Sequence, residues 1–440
     1  MARGVTLSEV QEADIVDLSH DGRGVARIDG KAVFVEGALP KERVRLRVIK
    51  RRRQMDEAVL VDVLSASPDR AVPRCLHFGV CGGCSLQHLS AAAQVSAKQR
   101  ELLENLERIG NVRPERTLAP LRGPEWAYRR RARLGVKYVH KKGRVLAGFR
   151  ERAKPYIADL RRCEILVEPL NSLPQDLAAL VETLAIRDKI PQVELAAGDA
   201  ASALVFRVLE PPGEQDLQKL ADFGAPRGVQ IFLQTGGLDT VRPLRADYAP
   251  LNYKIDGGNI VIEFGPVDFL QINRDVNVSM VDAALKLLEV KPADRVLDLF
   301  CGLGNFTLPL ARRAAQVLGV EGDSGLVSKA RANALRNGIG NVEFAVENLF
   351  EPKNFGAWAG ARYDLVLLDP PRAGAAELLA AMAGWRPRRV VYISCHPGSL
   401  ARDAGILVQT LGYRLTDAGV MDMFPHTTHV ESIAVFEAAA

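Results

Sequence analysis

The chain has 440 residues, 48% hydrophobic and 25% charged, with a formal net charge of +5; this is the composition of an ordinary globular protein with room for about three domains. No segment approaches the roughly 18 consecutive apolar residues of a membrane span, and the opening MARGVTLSEVQEAD lacks the apolar core of a secretory signal. A cytoplasmic protein with no membrane partner is expected, and six cysteines are few for a disulfide scaffold.

The small net charge hides an asymmetry. Basic residues gather in Lys41–Arg53 and Arg129–Arg150, which suits a polyanion docked on the N-terminal side. Residues 1 to about 66 alternate short β patterns with glycine turns. Val25–Ile28, Asp29-Gly30 and Lys31–Val35 read as a hairpin with a type I′ turn. Arg43, Arg45 and Arg47 then alternate with Val44, Leu46 and Val48, so one face of this strand enters a small barrel. The other face is a row of guanidiniums, continued by Lys50–Arg53. Such a row can simply be a charged edge that blocks sheet aggregation. Eight basic residues and one acid within Lys41–Arg53 favour RNA-backbone binding instead. The segment resembles a TRAM domain, a small OB-like RNA-binding barrel.

CLHFGVCGGC follows, a C-x5-C-x2-C cluster at Cys75, Cys81 and Cys84 with Gly79, Gly82 and Gly83 to bend the loop. Three thiols this close suit a soft metal centre, zinc or iron–sulfur, since both accept four thiolates. Cys163, in LRRCEIL, is the one cysteine left outside the C-terminal half and is the expected fourth ligand. Ser90–Ile109 reads as an amphipathic spacer helix; the region 90–120 is free to pack on the C-terminal domain. Trp126–Arg150 reads as two strands around a Lys141-Lys142-Gly143 turn, its aromatics interleaved with Arg and Lys in a way that could stack and pair with RNA, or be a basic hairpin without a role. Residues 165–260 show helices and strands without legible chemistry. The expected domains are a barrel over 1–66, a central α/β domain with the cysteine loop over 67–262, and a third domain over 263–440.

FGPVDFLQINRD from Phe264 leads into a helix, Val276–Glu289, and then into RVLDLFCGLGNF, Arg295–Phe306. The latter is a buried strand carrying Asp298, a Gly302-Leu303-Gly304 turn and a helix-like run, as where a parallel strand ends in a cofactor loop. Strand Gln316–Val320 ends in Glu321, nineteen residues after Gly302, where an acid would meet a ribose. Asn305-Phe306 stand where the dinucleotide fingerprint wants a third small residue, so a dehydrogenase is disfavoured. The pattern is similar to the motifs of S-adenosylmethionine-dependent methyltransferases. Helix Ser324–Asn337 stops at Gly338, strand Val342–Ala345 leads to Asn348, Leu365–Leu368 ends in Asp369-Pro370-Pro371-Arg372, and Val390–Ile393 ends in Ser394-Cys395-His396-Pro397. Val430–Phe436, preceded by His426 and His429, is a closing strand carrying Glu431.

A lone cysteine is usually a packed core thiol. Cys395, at the cofactor end of a strand and before a helix start, has backbone N–H groups nearby that favour a thiolate. A thiolate beside a methyl sulfonium suits a carbon that is not itself nucleophilic, such as C5 of uracil: addition at C6 makes an enolate whose C5 can take the methyl group. A base must then remove the C5 proton, and Glu431 is the candidate. Together DPPR, SCHP and HTTHVE resemble the RNA uracil-C5 methyltransferases; with a TRAM barrel and four cysteines, the whole chain is similar to the type that acts on 23S ribosomal RNA. The resemblance implies a multidomain protein: the OB-like barrel, a central α/β domain with an iron–sulfur loop, and a C-terminal α/β Rossmann-like class I methyltransferase. It further implies a [4Fe-4S] cluster on Cys75, Cys81, Cys84 and Cys163, Cys395 as nucleophile, and Glu431 as base. S-adenosyl-L-methionine contacts would fall on Gln271, Phe300, Asn305, Glu321, Asn348 and Asp369, Gln271 lying in an FxQxN pattern with Phe269 and Asn273. His396 stands where many relatives have Asn. A target uracil would have to be looped or flipped out, in a 23S RNA bound by a monomer with no DNA partner. Competing readings are a transfer-RNA enzyme of the same family, argued against by the barrel and cluster; a dual-site ribosomal one, which shares the catalytic half; a non-catalytic ribosome-assembly protein, argued against by intact Cys395, Glu431 and Asp369; and a cytosine-C5 enzyme, whose extra cysteine motif is missing.

Overall fold

A computed structural model of the chain describes residues 9–382 and 384–439; the first eight residues of the expected barrel segment lie outside it. The chain divides into two compact units. One takes the chain up to Glu101 together with Arg150–Tyr156 and Pro425–Thr428; the other holds Leu102–Phe149, Ile157–Phe424 and His429 onward.

The first unit is built on a closed barrel of β1 (Val10–Leu18), β2 (Gly24–Ile28), β3 (Lys31–Glu36), β4 (Arg43–Arg51) and β5 (Met55–Ser65), in the order β1-β2-β3-β5-β4. Asp29 and Gly30 have φ of 50° and 78°, the left-handed pair that a type I′ turn requires, and Ile28 faces Lys31 across it. Along β4 the alternation holds: Val44, Leu46 and Val48 enter a core with Ile15, Val33 and Val35. The outer face differs from the expected bare cationic row. Register sets Glu12 of β1 and Asp62 of β5 beside Arg45, and Arg43 and Arg45 lie 3.3 and 3.5 Å from Glu12. Arg52 pairs with Glu57 at 2.6 Å. Arg43, Arg45 and Arg52 thus face acids of neighbouring strands, which the local count of Lys41–Arg53 did not include. Below the barrel, Glu42 is fully buried and accepts from Arg70 and from the backbone N–H groups of Leu39 and Ser67. Burial alone would raise this carboxyl; those donors hold it below the ordinary carboxylate range.

The cysteine loop follows. Val80 and Gly82 exchange backbone hydrogen bonds with Arg152 and Arg150 at 2.8 Å, so Arg150–Tyr156 pins the loop as a short strand would.

In the second unit α1 (Ala91–Arg108), begun in the first, ends before β6 (Arg116–Thr117). A six-stranded sheet then combines β7 (Arg131–Val139), β8 (Arg144–Gly148), β9 (Gln192–Ala197), β10 (Ser202–Arg207), β11 (Val229–Gln234) and β12 (Val241–Pro243) in the order β12-β11-β10-β9-β7-β8, with α2 (Leu173–Glu182) and α3 (Glu214–Gly224) in its connections. Here too the expected basic hairpin is used internally. Arg131 and Arg133 of β7 both pair with Glu194 on the adjacent β9, which is 3% exposed, Arg130 pairs with Asp199 at 2.6 Å, and Tyr128 is buried. A carboxylate taken out of water needs such partners, so these arginines stabilise the sheet.

A hairpin of β13 (Leu251–Ile255) and β14 (Ile260–Phe264) leads to α4 (Arg274–Leu288), capped by the Asn273 side chain. The rest is one doubly wound sheet: β15 (Arg295–Leu299), α5 (Thr307–Ala311), β16 (Gln316–Glu321), α6 (Ser324–Arg336), β17 (Val342–Val346), β18 (Leu365–Leu368), α7 (Ala376–Met382), β19 (Arg389–Ser394), α8 (Pro397–Gly405), β20 (Tyr413–Met421) and β21 (Glu431–Ala438). The strand order is β17-β16-β15-β18-β19-β21-β20-β6. β15 is parallel to β16 on one side and β18 on the other, while β21 runs antiparallel between β19 and β20. The chain winds outward from β15 in one direction, then returns to start again at β18. A crevice opens at such a reversal, beyond the carboxyl ends of the strands. Among the described residues no helix is long and apolar enough to cross a membrane.

His88, in the first unit, supplies a pH test. It is 3% exposed, packs on Phe78 with ring centroids 5.3 Å apart, and neither ring nitrogen has a hydrogen-bond partner. Burial, then the charges of Arg70 and Arg152, push it down from 6.5 to about 4. Between those values the unfolded chain binds a proton that the folded one refuses, so stability falls as pH drops from 6.5 towards 4, by roughly 3 kcal/mol in all. Urea melts across this window should show that loss for the intact protein and a flatter profile for His88→Phe.

Candidate active site

Three parallel strands deliver acids to the crevice: Asp298 inside β15, Glu321 at the end of β16 and Asp369 just after β18. The turn after β15 is strained open. Phe300, Gly302 and Gly304 have φ of 65°, 54° and 92°; two of these are glycine because only it enters that region without cost, and the phenylalanine there is the kind of outlier that clusters at functional sites. Gly302 N–H donates to Glu321 Oε2 at 3.1 Å, so the acid ending the second strand ties down the glycine loop. Phe300 packs on Phe350 at 5.8 Å between ring centroids. Asn348 is exposed and caps its own turn by accepting from the N–H of Phe350 at 3.1 Å. Gln271 is half-buried in the loop before α4, and Phe269 beside it is 70% exposed.

Asp298 is fully buried; Thr307 Oγ1 donates to its Oδ2 at 2.5 Å, and Oδ1 has no partner. Burial, reinforced by the charges of Asp369 and Glu321, pushes its carboxyl up to about 7. Burial does the same to Asp369, also to about 7. Cys395 follows β19, half-buried, and Glu431 opens β21 at 4% exposure. Because β21 lies beside β19, with Ser394 opposite Ser432, these two residues come to the same rim. Burial and then Asp369 raise Glu431 to about 8. Burial, then Glu431 and Asp369, raise the Cys395 thiol from 9.0 to about 11, against a smaller opposing effect of Arg372. The expected thiolate-favouring surroundings of Cys395 are therefore reversed in the protein alone: the carboxylates and burial outweigh the helix start.

The Asp369–Ala375 loop is held from behind by Asp403, fully buried, whose Oδ2 accepts from Ala375 N–H and from Tyr392 Oη at 2.7 and 2.6 Å. His396 caps α8: its Nδ1 accepts from Ser399 N–H at 3.1 Å, a task an Asn side chain also performs.

Comparison with known proteins fixes the family. Residues 91–439 match the model of the tRNA (Uracil-5-)-methyltransferase family, and residues 5–61 match the TRAM domain. The chain belongs to that family. A family member from Methylococcus capsulatus, named 23S rRNA (uracil(1939)-C(5))-methyltransferase RlmD, is 51% identical over 97% of this chain and 96% of its own. One of the same name from Alkalilimnicola ehrlichii is 52% identical over 98% and 97%. The crystal structure of Pyrococcus abyssi tRNA (uracil-54, C5)-methyltransferase in complex with S-adenosyl-L-homocysteine covers 97% of this chain and 99% of that one, with a TM-score of 0.74 and 24% identity; this likeness shows the shared fold.

Cys75, Cys81 and Cys84 belong to the first compact unit and Cys163 to the second. No cysteine is in a disulfide. By donor type they fit a thiolate-bound cluster, while among the described residues no three His, Cys, Asp or Glu side chains form a group that could hold a metal ion. Reading the sequence missed Thr307, Asp403 and Tyr392, and also Tyr253 and Asn277, which hydrogen-bond the Asn305 side chain; all depend on contacts across the fold.

The cap at His396 is testable. Burial, then Arg372 and Arg402, keep this imidazole below its ordinary value, so it stays neutral and accepting. His396→Ala should lose about 1 kcal/mol in denaturant melts, and His396→Asn should restore it.

Proposed function

We propose that the protein methylates C5 of the uracil at position 1939 of 23S ribosomal RNA, the reaction in the names of its full-length relatives. The observation that carries the reading is the meeting of Cys395, Glu431 and Asp369 at the carboxyl rim of the parallel sheet, in a chain that matches the family model over residues 91–439. S-adenosyl-L-methionine supplies the methyl group as an electrophilic sulfonium. Gln271, Phe300, Asn305, Glu321, Asn348 and Asp369 would line its site, with Glu321 fixing the loop it lies on. Cys395 adds through Sγ to C6 of the uracil, and the ring electrons move to make C5 the nucleophile. After the methyl group joins C5, Glu431 takes the C5 proton, the C5–C6 double bond reforms and Cys395 leaves as thiolate. A positive charge beside Asp369 and Glu431 lowers all three values, which supports the use of a cationic cofactor here. The TRAM barrel and the central sheet would hold flanking RNA.

The test uses 23S RNA and the full chain. Cys395→Ala should give neither methyl transfer nor covalent complex. Glu431→Gln should add and methylate but not eliminate, leaving a methylated RNA–protein adduct stable to denaturing electrophoresis. Normal turnover by Glu431→Gln would exclude it as the base, and loss of 5-methyluridine at a site other than 1939 in a deletion strain would reject the assigned target.

The family resemblance and the spacing of Cys75, Cys81 and Cys84 also support a [4Fe-4S] cluster completed by Cys163. It would hold the cysteine loop, and no step of methyl transfer is routed through it. Anaerobically purified protein should carry iron and sulfide in equal amounts; stoichiometric zinc without sulfide would reject the cluster.

A further inference from the structure

Asn305 follows the second glycine of the cofactor loop, and its amide is almost fully committed within the protein. Tyr253 Oη donates to Asn305 Oδ1 at 3.1 Å, and Asn277 Nδ2 donates to the same oxygen at 3.1 Å. Asn305 Nδ2 returns a hydrogen bond to Asn277 Oδ1 at 3.0 Å. Tyr253 and Asn277 are 5% and 3% exposed, and burial keeps the phenol protonated as a donor.

We propose that Asn277 and Tyr253 are positioning residues that set the Asn305 amide, and through it the glycine loop, for cofactor binding. The inference rests on the proposed use of S-adenosyl-L-methionine. An amide has two acceptor sites on oxygen and two N–H donors. Here both acceptor sites and one donor are used, so one N–H of Asn305 is left to meet an acceptor on the cofactor. Two donors on one atom also fix which end of the amide is oxygen. Without them the group is free to turn over and present its oxygen to that acceptor.

The clamp is itself braced. β13, which carries Tyr253, pairs with β14, and α6 docks on β14 by two asparagines. Asn333 exchanges hydrogen bonds with the backbone of Glu263, and Asn337 with that of Val261. Asn333 Nδ2 also reaches the carbonyl of Leu303, between the two loop glycines, at 3.4 Å. The loop is therefore gripped at Asn305 from β13 and α4, and at Leu303 from α6, which itself docks on the β13–β14 hairpin.

Calorimetric titration of the full chain with S-adenosyl-L-homocysteine tests this without methyl transfer. Tyr253→Phe, which removes one hydrogen bond to the amide, should weaken binding about tenfold, and Asn277→Ala, which removes two, by more than that, with RNA affinity unchanged. Asn305→Ala should bind weakly, and adding Tyr253→Phe to it should change nothing further, because the tyrosine acts through that amide. Where Asn277→Ala fails to fold, Tyr253→Phe, which removes one oxygen, decides. Wild-type affinity in Tyr253→Phe, or additive losses in the double variant, would overturn the inference alone. An unsubstituted protein that does not bind the nucleoside would overturn the methyltransferase reading and this inference with it.

Discussion

Parallel strands all end on the same side, and in this protein their ends carry acids. Asp298, Glu321 and Asp369 come from three adjacent parallel strands and Glu431 from the antiparallel β21 next to β19. Two of these carboxyls are held near 7 and one near 8 by burial, to which neighbouring acids add at Asp298 and Glu431. The donors provided locally are neutral: Thr307 meets one oxygen of Asp298 and leaves the other without a partner, and the N–H groups of Gly302 and Asp323 meet the two oxygens of Glu321. The rim is thus built with too little positive charge, and a cation is the natural complement of such a site.

The same crowding decides the state of Cys395. A helix N-terminus stabilises an anion by about 0.3–1 kcal/mol, less than tenfold in thiolate population. The shift of the thiol from 9.0 to about 11 is roughly a hundredfold in the other direction. The start of α8 is therefore too weak to activate the thiol in the protein alone. It contributes position instead: the His396 cap fixes the first turn of the helix immediately after Cys395.

What the sequence made legible follows the range of the forces involved. Buried parallel strands are continuous apolar runs, so Leu365–Leu368 matches its observed bounds and Gln316–Glu321 extends the expected strand by one residue. Glycine turns and caps are equally local: Asp29-Gly30 and Gly338 take the left-handed conformations their positions imply. The run after the glycine loop is a short exception, a helix of five residues. Charge partners were not legible, because they are set by register between distant segments. Arg45 meets Glu12 and Asp62, and Arg131 and Arg133 meet Glu194, only after strands pair. Of the two basic clusters, the one around Arg131 is for that reason used inside the sheet, while Arg43 and Arg45 stay exposed beside their acids. The clamp on Asn305 was hidden similarly, since Tyr253 and Asn277 are 52 and 28 residues away from it.

On the proposed reading, the acid-rich rim also orders the chemistry in time. While a sulfonium is bound, its charge lowers Glu431, Asp369 and Cys395 together, favouring the thiolate that adds to C6. Once the methyl group had been given up, that positive charge would be gone from the site. Glu431 is then an anion in a buried site beside Asp369, the surroundings that raise it to about 8 in the protein alone. Its affinity for a proton therefore rises at the step where the C5 proton must leave. On that reading a carboxylate with an ordinary value would be a weaker base at that moment, and the burial of Glu431 beside Asp369 would serve the elimination step.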